Sequence, residues 1–540
     1  MTRGGLLILA PLRLEARALS QGAPDAWVVR TGAGPLRSSC SASRIIASTS
    51  ALGSADSFFD TPSGKAGASK AGAANGRASK AGADGTHAPH AVAIAGIAGG
   101  LDIDLPPGTL VVADKVIDET GRVAALLPSA PLIAAELNAR GQLAVTGTVA
   151  SARAVVEGAR DRATLAALGA VAVDTESAWL VAAPWGVPTA VVRVIVDTPE
   201  RELRSLATVT GGIKALAVLS RAAKVLVEWG DTIAAREVLL ANPRSFCAGV
   251  ERAIDTVIRC IDKFGTPVYV RRHIVHNRHV VEDLESRGAK FVQELDEIPD
   301  GATVIFSAHG VSPAVRQAAD ARALNVVDAT CPLVSKVHSE VRRFSARSRQ
   351  VIFIGHAQHD EAEGTLGEAP DMLVVETAGD VATLEVTDPD RLAYVTQTTL
   401  SSDDVEAVLT ELAARFPAIV GPGASDICYA TQNRQQALRA IAPGCSTVIV
   451  IGSPESSNAN RLVEVARRGA GKVVLVDDER DLRFEHLRDA PVIGVTAAAS
   501  TPETVVARVL DALSGVGPTE LHEFFSTSEN ASFSLPLEVR

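Results

Sequence analysis

The stretch ANPRSFCAGVERAI, residues 241–254, holds a lone cysteine, Cys247, with no second cysteine within ten residues. An apolar run, VLLA (238–241), leads into a turn at Pro243, and Ala248 and Gly249 open a helical pattern. By itself Cys247 reads as a small buried hydrophobe first, and otherwise as a nucleophile or one ligand of a centre assembled from distant parts of the chain. Comparing the ends of the strand-like runs downstream decides among these. His276 follows PVYVRRHIV, 29 residues after Cys247, and His309 ends TVIFSA, 33 further on. Cys331 follows NVVDAT; His359 comes 28 residues later in the loop after QVIFIGHAQ, and Thr398 ends LAYVTQ another 39 on. Cys428 follows ASDI, with Ser456 at 28 residues and Ser500 at a further 44. A cysteine and two polar sites thus recur three times, each on a strand–loop–helix unit. This predicts three similar α/β lobes with pseudo-threefold symmetry, about 237–324, 325–417 and 418–540. Ligands of such sheets bind beyond the carboxyl ends of the strands, where all nine positions fall.

Three thiolates converging from three lobes suit a metal centre. A closed zinc site usually takes a fourth protein ligand, whereas a [4Fe–4S] cluster held by Cys247, Cys331 and Cys428 leaves one iron open to a substrate oxygen. Helix starts after each cysteine favour the thiolate. Cys260 and Cys445 read as core and structural residues, and Cys40 as inert. The surrounding set, His276, His309, His359, Thr398, Ser456, Ser457, Asn458 and Ser500, is rich in donors and poor in fixed cations, which suits a diphosphate. Glu361, beside these groups and an anionic cluster, would retain its proton and is a candidate general acid. On residues alone, an iron–sulfur hydro-lyase acting on a small anion and a redox-sensing iron–sulfur module remain open alternatives.

The chain has 540 residues and a net charge of −11, which gives no general attraction to nucleic acid or to an anionic membrane. No apolar run reaches the length of a membrane span, and MTRGGLLILAPLRLEARAL (1–19) reads as a buried strand and an opening helix, not a leader. Six scattered cysteines without a C-x-x-C argue against a disulfide framework and for a cytoplasmic protein. Residues 1–230 alternate strand and helix patterns as a separate α/β domain. They are interrupted at 53–90 by a Lys-Ala-Gly-Ser tract that reads as a disordered insert.

The segments LLANPRSFCAGVERAI, HIVHNRHVV, DATCPLVSKVH, IGHAQHDEAEGTLG, DICYATQNRQ and GSPESSNANRL resemble, in order, the 4-hydroxy-3-methylbut-2-enyl diphosphate reductase family. The resemblance implies three lobes around one [4Fe–4S] cluster per C-terminal domain, with Cys247, Cys331 and Cys428 as its ligands. It places His276, His309, Ser456, Ser457, Asn458 and Ser500 on the substrate, His359 and Thr398 near its hydroxyl end, and Glu361 at proton delivery. The implied reaction is reductive dehydroxylation of the allylic diphosphate to isopentenyl and dimethylallyl diphosphates, with a ferredoxin- or flavodoxin-type electron donor. Two positions depart from the pattern: Ala498 stands where the family usually has Gly, and Asp360 where it usually has Pro. In the N-terminal part, VVRTGAGP, AIAGIAGGLDIDLPPGTLVVAD, AVDTESAWL and VPTAVVRVIVDTP resemble the nucleoside phosphorylase and nucleosidase superfamily, especially its hopanoid-associated branch. That resemblance implies Glu176 on ribose hydroxyls, Asp197 at the leaving base, and Gly32, Gly34, Gly99 and Gly100 lining the site. The domain is either active in this way or a degenerate relative, since DTES lacks the usual Met before Glu.

Overall fold

The computed structural model describes residues 5–52, 89–199 and 206–540. Most of the Lys-Ala-Gly-Ser tract, residues 53–88, therefore lies outside the described residues. Two compact units divide the chain: residues 1–234 with 511–518, and residues 235–510 with 519–540.

In the first unit, Leu6–Ala10 is a strand of five buried residues, parallel to Trp27–Arg30 on one side and Ala91–Gly100 on the other. The sheet continues through Ala170–Asp174, Ala144–Ser151 and Leu110–Asp118 to the edge strand Val123–Leu126. Thr189–Asp197 pairs with both Ala91–Gly100 and Leu110–Asp118, so five strands close into a ring. Closure needs sharply curved strands, and the small residues of Ala91–Gly100 allow it: the register shifts between Ala98 and Gly99.

The second unit holds three all-parallel sheets. One contains Ala289–Val292, Val268–Arg271, Thr303–Phe306 and Asn325–Asp328, in that spatial order, and the next Leu373–Val375, Gln350–Ile354 and Leu392–Thr396. The third runs Lys472–Val476, Thr447–Ile451, Val492–Ala497, Arg236–Asn242 and Thr519–Phe525. Their central strands are continuous apolar runs such as TVIVI, buried on both faces, because helices cover both sides of a parallel sheet.

This pairing differs from the expected lobe boundaries. Arg236–Asn242, the strand before Cys247, belongs to the last sheet. Asn325–Asp328, before Cys331, pairs within the first, and Val420, ahead of Cys428, bridges to Ala393 of the second. The helix after each cysteine packs with the following lobe: Val250, Ala253 and Val257 with Val268 and Val270, Val337 and Val341 with Val351, and Ala437 and Leu438 with Val448. Each cysteine therefore marks a crossing, with the segment before it paired to one sheet and its helix packed on the next. Local periodicity shows a strand–loop–helix unit but carries no record of which distant strand it pairs with, so a boundary drawn at the strand falls one element early.

Candidate active site

The crossings bring the three cysteines to the mouths of three helices. Cys247 is the N-cap of Ala248–Phe264, Cys331 of Pro332–Ala346, and Cys428 of Tyr429–Ile441. Unsatisfied N–H groups and the positive end of each helix dipole thus face one point. Thr431 N–H donates to Cys428 Sγ at 3.3 Å, and Thr431 Oγ1 lies 3.0 Å from it. A Cβ added at Gly249 would stand 2.8 Å from Cys331 Sγ and 3.8 Å from Cys247 Sγ, so only glycine admits this approach. Burial, together with the neighbouring thiols, pushes Cys331 up to about 12 and Cys428 up to about 11. Without a cation the crowded thiols resist ionisation; a thiophilic metal centre reverses that balance, and the three helix starts offset its anionic charge. The donor set fits such a centre.

Around the thiols lies a cavity lined by every expected residue of the C-terminal site: His276, His309, His359, Glu361, Thr398, Ser456, Ser457, Asn458 and Ser500. No Lys or Arg lines it among the described residues. Three imidazoles form one wall. His276 and His309 stack at 4.4 Å between centroids, and His359 meets them edge-on at 5.4 and 5.6 Å. Burial, then the neighbouring histidines, hold His309 well below its ordinary value; burial also lowers His276 and takes His359 down to about 4. His359 Nδ1 accepts the Glu361 N–H at 3.1 Å, capping the helix Asp360–Leu366, so the neutral ring carries its proton on Nε2.

Glu361 is buried and joined twice to Thr398, whose N–H donates to Oε1 at 2.8 Å and whose Oγ1 lies 2.9 Å from Oε2. Burial pushes its carboxyl up to about 7, against the pull of those two bonds. The hydroxyl wall is also pre-set. Ser456 caps Ser457–Arg467, and Ser457 Oγ lies 2.7 Å from Thr399 Oγ1. Asn458 Oδ1 accepts the Ala499 N–H at 2.9 Å, which turns its amide N–H groups away from that backbone, and Ser500 Oγ donates to the His276 carbonyl at 3.2 Å. Val275, Val334 and Phe533 supply apolar surface. Sequence reading missed Thr399, Thr431 and Phe533. Thr431 sits three residues into a helix capped by Cys428, a spacing that was available as a signal; Phe533 lies in an irregular tail and carried none.

In the N-terminal unit a second cavity brings Glu176 and Asp197 together with Gly99, whereas Gly32, Gly34 and Gly100 do not line it. Ala33 lies between the first two, which both take positive φ, at 85° and 88°, as turn residues. Asp197 pairs with Arg162. Glu176 Oε1 lies 2.8 Å from Nη1 of the fully buried Arg193, and Asp174 Oδ2 lies 2.8 Å from its Nε. Burial pushes Glu176 up to about 7 despite that arginine. Arg162, Arg193 and the buried Glu15 were not anticipated, although a charge inside the apolar run VPTAVVRVIVD is a visible signal of a buried partner.

No described helix is long and apolar enough to cross a membrane. Residues 26–227 match the family model described as Phosphorylase superfamily, and residues 238–514 the one described as LytB protein. A 4-hydroxy-3-methylbut-2-enyl diphosphate reductase of Acidithiobacillus ferrooxidans is 52% identical over 305 residues, covering 56% of this chain and 96% of that protein. The solved structure of the E-1-hydroxy-2-methyl-but-2-enyl-4-diphosphate reductase from Plasmodium falciparum is 39% identical, with a TM-score of 0.54 over 57% of this chain and 97% of that one. A Helicobacter pylori 5'-methylthioadenosine/S-adenosyl homocysteine nucleosidase aligns with 42% of this chain and 99% of its own, at 17% identity and a TM-score of 0.31. With more than half of its length matched by the one model, the chain belongs to the LytB protein family.

Proposed function

We propose that the C-terminal unit is a 4-hydroxy-3-methylbut-2-enyl diphosphate reductase, acting at the last step of the methylerythritol phosphate route to isoprenoids. It takes (E)-4-hydroxy-3-methylbut-2-enyl diphosphate, two electrons and two protons, and releases water with isopentenyl or dimethylallyl diphosphate. The observation that carries this reading is one cavity joining three helix-capping thiols, a wall of histidines and hydroxyls, and a single buried carboxylate with a pKa near 7. Cys247, Cys331 and Cys428 would hold one [4Fe–4S] cluster. When bound, that cluster supplies the electrons, received from a ferredoxin- or flavodoxin-type donor, and a Lewis-acid iron for the substrate hydroxyl.

The chain's own residues do the rest. His276, His309, Ser456, Ser457, Asn458 and Ser500 bind the diphosphate, and with no fixed cation in the wall its charge is met by N–H and O–H donors and by protons taken up on imidazole. His359 Nε2–H and Thr398 Oγ1 orient the hydroxyl end. Glu361 keeps a proton at neutral pH and passes it towards the leaving oxygen. Since Oε1 is held by the Thr398 N–H, the proton resides on Oε2, against the Thr398 hydroxyl, which is placed to relay it. Val275, Val334 and Phe533 exclude water from the hydrocarbon. Protein purified without oxygen, with its cluster intact, should form both products only when a reductant is supplied; turnover without one would instead support a hydro-lyase.

For the N-terminal unit we infer binding of a nucleoside-type ligand, with Glu176 on the ribose hydroxyls and Asp197 at the base. Both carboxylates line one cavity beside Gly99. Release of free base from a nucleoside, lost in Asp197→Asn, tests this; no release from any nucleoside would make it a degenerate domain.

A further inference from the structure

Outside the substrate groups, the short helix Asp360–Leu366 carries a network that the reaction as described does not use. This helix presents both His359, its cap, and Glu361, its second residue, to the cavity. Its first residue, Asp360, meets Arg272 with Oδ1 2.6 Å from Nη1, and Arg272 Nη1 also lies 2.7 Å from Glu363 Oε2, one turn along. Arg272 stands four residues before His276, on the loop after Val268–Arg271. The neighbouring Arg271 reaches Glu294 at 2.8 Å and Glu363 at 3.4 Å. Two arginines of one lobe thus clamp the helix of the next. Arg272 takes φ 57°, a backbone region that costs a non-glycine residue energy and persists where surrounding contacts over-determine it. The other oxygen of Asp360, Oδ2, lies 3.8 Å from His276 Nε2 and 4.0 Å from His309 Nδ1. The pair therefore sits between the helix with the proton donor and the loop with the histidines.

We propose that Arg272 and Asp360 are positioning residues: their ion pair latches the helix bearing His359 and Glu361 to the loop bearing His276, and so sets proton donor and diphosphate site at their working distance. Isolated, an ion pair with both partners about a fifth exposed adds little stability. Its leverage is geometric, because small displacements of a catalytic group cost far more in rate than in folding energy. Asp360 also occupies a place where proline would fit. It is the first residue of the helix, its N–H appears in no backbone hydrogen bond, and His359 before it is extended at φ −87° and ψ 144°, as a residue preceding proline should be. A charge-held latch here does the stiffening that a proline could supply at such a position.

The proposal rests on the reductase reading, and its test separates the two. Reconstituted full-length protein carrying Asp360→Gly, Asp360→Pro, Arg272→Asn or Asp360→Gly with Arg272→Asn is assayed without oxygen for kcat and KM at low and high salt. Amide exchange is followed over residues 359–366. Asparagine tolerates positive φ, so Arg272→Asn removes the cation without straining the loop. The expected result is a fall in kcat of about tenfold in Asp360→Gly and in Arg272→Asn, larger than the change in KM, with the double variant no worse than either. Exchange over 359–366 should quicken in both, and in the wild type at high salt. Asp360→Pro should keep kcat within about threefold of wild type and show a weaker salt dependence, carried only by the pairs that remain to Glu363. Additive losses in the double variant, unchanged exchange in Asp360→Gly, or an Asp360→Pro variant as impaired as Asp360→Gly would each overturn the positioning role. If the wild type shows no reductase turnover at all, the functional reading fails, while the exchange measurements still decide the latch.

Discussion

Glu361 and Thr398 are joined by two hydrogen bonds, one from the Thr398 backbone N–H to Oε1 at 2.8 Å and one between Thr398 Oγ1 and Oε2 at 2.9 Å. The carboxyl is buried and pushed up to about 7. A raised carboxyl holds its proton below that value and loses it above. The turnover of the proposed reductase should therefore be level below about pH 7 and fall as pH rises through it. Glu361→Gln preserves shape and one acceptor but has no acidic proton, so kcat should drop by about 10²–10⁴-fold with the cluster's visible absorption unchanged. A variant with near-normal turnover would end the proton role.

Thr398→Val separates the two bonds, since it removes the hydroxyl and leaves the backbone donor. The lost bond is one that lowers the Glu361 pKa, so the descending limb of the pH profile should move to higher pH while the maximal rate falls through loss of the relay. A limb that stays in place or shifts to lower pH would show that the hydroxyl does not favour the ionised form.

Gly249 should govern cluster loading. A methyl group there would stand 2.8 Å from Cys331 Sγ, inside any normal contact, and the atom in the way is a proposed ligand held at a helix cap. Gly249→Ala should leave the apo fold intact, because alanine suits a helix start better than glycine. It should reduce iron and acid-labile sulfide after anaerobic reconstitution to below about half of wild type. Full loading would mean that Cys331 can shift at no cost.

The site was more legible in the sequence than the sheets were. Cys247, Cys331 and Cys428 recur with polar residues at strand ends, and that spacing is local enough to read along one chain. Which sheet receives Arg236–Asn242 is decided by pairing with Val492–Ala497, more than two hundred residues away, and an apolar run looks the same whichever neighbour it meets. Asn458 was expected as a donor to an anion. Its fixed orientation comes from the Ala499 N–H, a contact made by backbone that no residue pattern displays. Arg193 was the opposite case, a charge in an apolar strand whose presence demanded partners that only the fold could name.

Diphosphate binding should draw protons from solution. His276, His309 and His359 are all held below their ordinary value by burial, and the cavity wall lacks Lys and Arg among the described residues. An incoming polyanion reverses the balance for imidazole, which then charges to meet it. Calorimetric titration with inorganic diphosphate at pH 7.5, in buffers of different ionisation enthalpy, should give an uptake of about one proton per site. An enthalpy independent of buffer would show that neutral donors alone hold the anion.

Arg193 is a strong lever on the first unit. It is fully buried, with Asp174 and Glu176 each at 2.8 Å and Glu15 also acting on it electrostatically. Arg193→Met preserves much of the volume but strands two or three carboxyls among themselves in a desolvated site. Breaking a buried ion pair from one side in this way costs about 3–5 kcal/mol. All four tryptophans, Trp27, Trp179, Trp185 and Trp229, lie in this unit, so urea unfolding followed by tryptophan fluorescence reports on it selectively. The loss should shrink as pH falls through about 7, because Glu176 is already raised to about 7 with the arginine in place and its stranded charge is lost as it takes up a proton. A loss at pH 7.5 below about 1 kcal/mol would show that Glu176 is already neutral with the arginine in place, and that Arg193 is not what holds Glu176 and Asp174 together.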